Sequence, residues 1–326
     1  MVCENPRLMM RDSTNRIIEL TKDDKLAYFL YLQERHINKT AKQPWFLKNG
    51  YEIIVIPCGQ CLLCQTAEYK EWALRCLLEA REYDNNQFIT LTYNEENEPV
   101  KGVNRAEITR FMHNLREHFR RKKKHTGIRF YASAEYGKKS LRAHYHFLLF
   151  NCPSFGDEEY YKKNDYGQAL YTSEILKHLW GKGFCTIGAV TRQSCDYVTR
   201  FRLKNFYRKL PKHLQHEFHC MSTQKGIGID YLIKNLDRII AEDAIHVTGN
   251  ITAKLPRFYD RKIAEFIGQE RFKQEIEIPR AEKAKALLSE EMARTGLSEI
   301  DTYWARLEQE TTKANQLIKK FTKKGD

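Results

Sequence analysis

Residues 142–150 read Arg-Ala-His-Tyr-His-Phe-Leu-Leu-Phe, and the fold is decided here. On a strand side chains alternate, so His144 and His146 share one face about 7 Å apart while Tyr145 points the other way. The apolar run Phe147–Phe150 predicts a strand covered on both faces. Both imidazoles could then approach one divalent ion. As a bare pattern this is weak: 11 histidines give about 0.4 such pairs by chance. Two hydrogen-bonded structural histidines is the competing reading. Glu135 ends the preceding strand and faces His144 across a hairpin turned by Tyr136-Gly137-Lys138-Lys139. A carboxylate there completes an N,N,O set open to water and phosphate oxygens, which suits Mg²⁺ or Mn²⁺. A plain surface residue at a turn is the alternative.

Outward from this hairpin, Phe88–Tyr93 (FITLTY) is dense in β-branched and aromatic residues and reads as a strand. Asn104 opens a helix with Glu107 at the capping-box position and the apolar face Ile108, Phe111, Met112, Leu115, Phe119. Strands follow at about 128–134 and 142–150. A helix capped by Thr172 ends at Gly181 and Gly183. Residues 184–191 read as a strand and 194–210 as a helix. Before these, the spacing of Tyr69, Trp72, Ala73, Cys76, Leu77 and Ala80 predicts a buried helix face over 68–83. The N-terminal 50 residues show weak periodicity, with a helix near 24–35, and 51–56 (YEIIVI) is a short β-rich run. Hairpins mixed with helices predict an α+β fold with a central, largely antiparallel sheet flanked by helices. Residues 280–323 are rich in Ala, Glu, Lys and Leu and predict two helices broken at Gly296. The expected organisation is an N-terminal extension (1–50), a main domain (51–250) and a helical C-terminal tail (251–326).

Tyr197 lies in Ser-Cys-Asp-Tyr-Val-Thr-Arg-Phe-Arg-Leu-Lys. On a continuous helix, Tyr197, Arg200, Phe201 and Lys204 would share one face. A phenol there can attack a phosphodiester, with Arg200 and Lys204 on the phosphate oxygens. The bland alternative is a core tyrosine with solvated neighbours. Cys58, Cys61 and Cys64 form C-x-x-C-x-x-C, whose chance expectation is about 0.007. Three thiolates at this spacing can share Zn²⁺, with Cys3 as candidate fourth ligand and a structural role. An iron–sulfur cluster or three reduced thiols are the alternatives.

Lys and Arg number 55 against 42 acidic residues, a formal net charge of +13, so a polyanion is the first partner to consider. Arg105, Arg110, Arg116, Arg120, Arg121, Lys122, Lys123 and Lys124 crowd one segment and, with Arg142, are candidate DNA contacts; a solvated helix end is the alternative. No apolar run nears the roughly 20 residues that span a bilayer, and no secretory h-region is seen. A soluble, intracellular protein is expected, and its nine cysteines read as thiols or ligands rather than a disulfide framework.

Taken in order, CGQCLLCQ, EWALRCLLEA, FITLTYNEENEPV, SAEYG with RAHYHFLLF, LWGKGF, DYVTRFRLK and MSTQKGIGIDY resemble the HUH replication initiators of single-stranded DNA bacteriophages. The closest likeness is to microviruses of the gokushovirus type, over roughly residues 50–235. The resemblance implies an RRM/ferredoxin-like HUH fold and a metal-dependent endonuclease and strand transferase in the host bacterial cytoplasm. Such a protein nicks the origin of a circular genome through a 5′-phosphotyrosine and starts rolling-circle replication. It implies His144, His146 and Glu135 as metal ligands, Tyr197 as nucleophile, and Phe88–Tyr93 as a motif tied to origin contact. Arg200 stands where many HUH proteins carry lysine. Partners would be single-stranded and origin double-stranded DNA and a host polymerase; lacking a P-loop, the chain would need a partner helicase. Two departures stand out. Phe201 occupies the place of a second tyrosine found in some relatives, and Lys225 precedes the GIG block where many carry proline. A plasmid relaxase, a single-tyrosine transposase, or a non-catalytic nucleic-acid-binding protein stacking bases on Tyr93, Tyr131 and Tyr145 are the alternatives.

Overall fold

A computed structural model describes residues 3–14, 16–37, 41–123, 125–137, 140–248 and 251–323; within these, the side chains of residues 33, 35–37, 123, 322 and 323 are outside the description. The chain forms two compact units, Met1–Ala67 with Ile267–Lys320, and Glu68–Phe266 with Phe321–Asp326.

The larger unit is built on a seven-stranded antiparallel sheet. Its strands are β1 (Asn86–Thr92), β2 (Arg129–Tyr136), β3 (Ala143–Phe150), β4 (Glu159–Lys163), β5 (Ala169–Thr172), β6 (Cys185–Ala189) and β7 (Phe218–Met221). The order across the sheet is β7-β2-β3-β1-β6-β5-β4. β3 is central because its sequence can be buried on both sides. Tyr145, Phe147 and Leu149 pack beneath the Arg105–Lys123 helix through Ile108, Phe111, Met112, Leu115 and Phe119. Leu148 and Phe150 face Cys76, Cys195 and Val198 on the other side. His144 and His146 belong to that second face by alternation. Asn104 caps the long helix through the Ala106 N–H at 2.9 Å, whereas the Glu107 carboxylate turns to Arg110 and Lys182. The α+β class and antiparallel sheet thus match the expectation.

Three details differ. Ser173, not Thr172, caps the Glu174–Trp180 helix by accepting from the Leu176 N–H. The single helix expected over 194–210 is instead two, Arg192–Thr199 and Phe201–Lys204, interrupted at Arg200 (φ −82°, ψ 2°). The β4–β5 hairpin and β7 were not anticipated. β4 is exposed throughout, so it carries no buried/polar alternation. Its turn nonetheless has a readable signal, Asn-Asp-Tyr-Gly: the Asn164 side chain accepts from the N–H groups of Tyr166 and Gln168, and Gly167 sits at φ 76°.

The GIG block is a built clamp. Glu79, 0% exposed, accepts from the Gly228 N–H and pairs with Arg129, whose guanidinium donates to the carbonyls of Gln224 and Gly226. The glycines have positive φ, and a Cβ on Gly226 would meet the Phe258 ring at 2.5 Å.

The smaller unit pairs Arg7–Arg11 with Ile17–Glu19 and Glu52–Ile56 in a three-stranded antiparallel sheet, packed through Leu8, Met10, Leu20 and Phe46. It also holds the Lys22–Ile37 helix. The Ile278–Thr295 helix ends where Gly296 takes φ 71° and donates to the Met292 carbonyl at 2.8 Å; the Glu299–Lys323 helix follows. The break expected at Gly296 is there. Among the described residues no helix is long and apolar enough to cross a membrane.

Candidate functional site

Register sets the site. Glu135 on β2 lies opposite His144, and Ser133 opposite His146. On the other side β1 sets Thr92 opposite His144 and Thr90 opposite His146. Cross-strand partners share a face, so one carboxylate, two imidazoles and three hydroxyls are gathered on it. Each ring is oriented by its Nδ1. That of His144 is 3.1 Å from the Arg142 carbonyl and that of His146 is 2.9 Å from Thr90 Oγ1. With those nitrogens donating, each Nε2 keeps its lone pair for a ligand. His146 Nε2 lies 3.3 Å from Glu135 Oε1. The ligand atoms of Glu135, His144 and His146 all fall within 4.8 Å of one another.

Two nitrogens and a carboxylate oxygen suit a hard divalent cation that keeps positions open. Burial supports this fit. Glu135 is 1% and His146 4% exposed, and the Ser133 hydroxyl beside them is buried without a hydrogen-bond partner among the described residues. Lys204 Nζ lies 3.4 Å from Glu135 Oε2, giving this buried carboxylate a cationic neighbour.

The Arg192–Thr199 helix, capped by a reciprocal Thr191–Ser194 box, crosses this face and delivers Tyr197. The Tyr197 hydroxyl is 3.4 Å from His146 Nε2, with its ring edge-on to His146 and to Phe88. Arg200 stacks over Tyr197 at 5.0 Å and over Phe321 at 4.4 Å, and reaches the Tyr166 hydroxyl at 3.4 Å. The break at Arg200 does not scatter the group, since Arg200 and Lys204 both stay beside Tyr197. It does redirect Phe201, which is 1% exposed with its ring against His219. Tyr207 is 67% exposed and does not line the cleft.

A cleft of about 440 Å³ opens over His144, His146 and Tyr197, floored by β1 and walled by β4–β5. That wall supplies Tyr161, Lys162, Lys163 and Tyr166, with Phe184 beside it. None of these five was singled out from the sequence. Lysines interleaved with exposed tyrosines before a polar turn are the signal that could have found them.

The basic run is elsewhere. Its helix packs on the opposite face of the sheet from Tyr197. Arg116 donates twice to the Ile128 carbonyl, and burial lowers its guanidinium below the usual range. Arg120 and Arg121 pair with Glu117, Arg105 stacks on Phe218, and Lys122 is exposed. The side chain of Lys123 and all of Lys124 lie outside the described residues. Arg142, at the His144 end of the hairpin, pairs with Glu98 at 3.5 Å. Tyr93, Tyr131 and Tyr145 are at most 2% exposed, so the base-stacking platform expected of a non-catalytic binder does not exist at these three residues.

In the other unit, Cys3, Cys58, Cys61 and Cys64 converge, with sulfur atoms within 4.8 Å of one another.

Residues 86–222, which contain Glu135, both histidines, Tyr197 and Lys204, match the replication-associated protein ORF2 family. Replication-associated protein ORF2 of Spiroplasma virus 4 is 32% identical over 277 residues, covering 82% of this chain and 85% of its own length. Replication-associated protein VP4 of Bdellovibrio phage phiMH2K is 28% identical over 207 residues, 62% of this chain and 65% of that protein. Replication-associated protein ORF4 of Chlamydia phage 1 is 24% identical over 225 residues, 66% of this chain and 55% of that protein. No solved structure matches.

Proposed function

The chain belongs to the phage replication-associated proteins, and on that premise we propose that it is the endonuclease and strand transferase that nicks the origin of a circular phage genome and starts rolling-circle replication. One observation carries the reading: a tyrosine hydroxyl 3.4 Å from an imidazole nitrogen that also faces a buried carboxylate.

Glu135, His144 and His146 would hold Mg²⁺ or Mn²⁺, which when bound polarises a phosphodiester as a Lewis acid. The remaining work falls to the chain's own side chains. The Arg192–Thr199 helix holds Tyr197 Oη at the cleft floor, ready for in-line attack on phosphorus. The Oη–P bond forms, the P–O3′ bond breaks, and the phenolic proton passes through solvent to the departing 3′ oxygen. The products are a 5′-phosphotyrosine and a free 3′-OH for a host polymerase, with a partner helicase opening the duplex. Because one phosphodiester replaces another, the reverse attack rejoins the strand. Arg200 and Lys204 are placed to contact phosphate oxygens, and Lys162, Lys163, Tyr161 and Tyr166 to line the path of the single strand. A relaxase or transposase would share this chemistry; the replication-associated relatives favour initiation.

Tyr197→Phe mixed with single-stranded origin DNA and Mn²⁺ should give no covalent adduct on a denaturing gel, with affinity within about threefold of the parent because only one hydroxyl is removed. Undiminished cleavage by that variant removes Tyr197 as the nucleophile.

A further inference from the structure

We propose that Cys3, Cys58, Cys61 and Cys64 hold one structural Zn²⁺ in a closed four-thiolate site, and that this ion fastens the N-terminus to the Glu299–Lys323 helix. The site is separate from the nicking chemistry, since these residues lie outside the span that carries Tyr197 and the histidines.

The sulfur atoms are spaced for one ion. Cys3 and Cys61 Sγ are 3.8 Å apart, Cys58 and Cys64 4.0 Å, and Cys64 and Cys3 3.5 Å. Four sulfurs at the ~2.3 Å Zn–S distance of a tetrahedral site are separated by about 3.8 Å. All four cysteines are free thiols, so no disulfide explains the convergence. In an iron–sulfur cluster the thiolates bind different irons, whereas these sulfurs surround one point.

The backbone is arranged to match. The Cys58 N–H lies 3.3 Å from Cys3 Sγ, and those of Gln60 and Cys61 lie 3.4 and 3.3 Å from Cys58 Sγ. Amide donors converging on sulfur stabilise the anionic form that ligates metal. Gly59 at φ 73° makes the tight turn that brings them there. Cys3, Cys61 and Cys64 are at most 7% exposed, so four ligands leave no open position for substrate, which marks a structural ion.

What the ion would hold follows from sequence distance. Cys3 is 55 residues from Cys58, and its carbonyl accepts from the Tyr303 hydroxyl at 2.8 Å. Fixing Cys3 therefore fixes the partner of a residue on the C-terminal helix. Binding Zn²⁺ to four thiols releases four protons, so retention should weaken in acid.

The test is metal analysis of the full chain carrying His144→Ala and His146→Ala, so that an ion at that pair is not counted. Zinc should be close to one per chain, fall below about a fifth in Cys61→Ser and Cys64→Ser, and persist in Cys220→Ser. Co²⁺ exchanged into the otherwise native chain should show thiolate charge-transfer and tetrahedral d–d bands, a readout that survives if the cysteine variants fail to fold. Removing zinc with a chelator should speed protease cutting within residues 299–323 by roughly fivefold or more. A zinc-free chain, iron with sulfide absorption, or full zinc in Cys61→Ser overturns the site. Unchanged proteolysis overturns the fastening role.

Discussion

His146 has its two ring nitrogens committed to different neighbours, Thr90 on one side and the Glu135–Tyr197 pair on the other. That division is what a ligand imidazole requires, and β1 supplies it through register alone. A second histidine on the same face carries no such role. His219, packed among Trp72, Tyr131 and Phe201, is pushed down to about 4, chiefly by burial and then by Arg202 and Arg105. Between the ordinary value of 6.5 and that lower one, the unfolded chain takes up a proton the native state refuses. Stability should therefore fall as pH drops across this window, by up to about 3 kcal/mol. Urea melts of His219→Gln over the same range should show a flatter profile; an unchanged slope would assign the loss to other groups. His144, His146, Glu135 and Tyr197 were legible because alternation and the hairpin fix their neighbours. The fates of Phe201 and Arg116 were not, since local spacing says nothing about a helix interruption or a distant carbonyl.

Lys225 shows the same limit for an element. It stands before the GIG block at φ 71°, in the left-handed region. Proline, locked near −65°, cannot adopt that angle, so relatives with proline there must enter the glycine turn by another route. Lys225→Gly should raise stability by about 0.5–1 kcal/mol, and Lys225→Pro should lower it by about 3 kcal/mol or more. Thermal denaturation of both variants decides this, and a neutral proline variant would contradict the turn geometry. β1, β2, β3 and β6 were readable because each is half or wholly buried and rich in β-branched or aromatic residues. β4, β5 and β7 were not, because exposed or edge strands need no such pattern. The small N-terminal sheet was hidden for a related reason: Arg7–Arg11 becomes a strand only by pairing with residues more than 40 positions away.

Across the molecule, positive charge is divided between the two faces of the sheet. Lys162 and Lys163 line the cleft that holds Tyr197, while Arg120, Arg121 and Lys122 ride the helix behind it. If the cleft receives the single strand, Lys162→Glu with Lys163→Glu should weaken binding of a short origin oligonucleotide roughly tenfold or more. The salt dependence should also become shallower, by about 0.7 in log–log slope for each phosphate no longer neutralised. Arg120→Glu with Arg121→Glu should leave cleavage of that oligonucleotide unchanged and reduce affinity only for longer duplex origin DNA. Filter binding at several salt concentrations separates the two, and equal effects on the short substrate would refute the division. Net charge alone could announce a polyanion; only the tertiary fold assigns each lysine to a side.

Phe201, sealed in the interior against His219, has a consequence for timing. Under the proposed chemistry the nucleophile helix owns a single covalent hand, and the phenylalanine after it offers no hydroxyl to catch a second DNA end. A completed genome circle must therefore be released by the phenol that began it, or be passed to another copy of the protein, making copy number part of how each replication round closes.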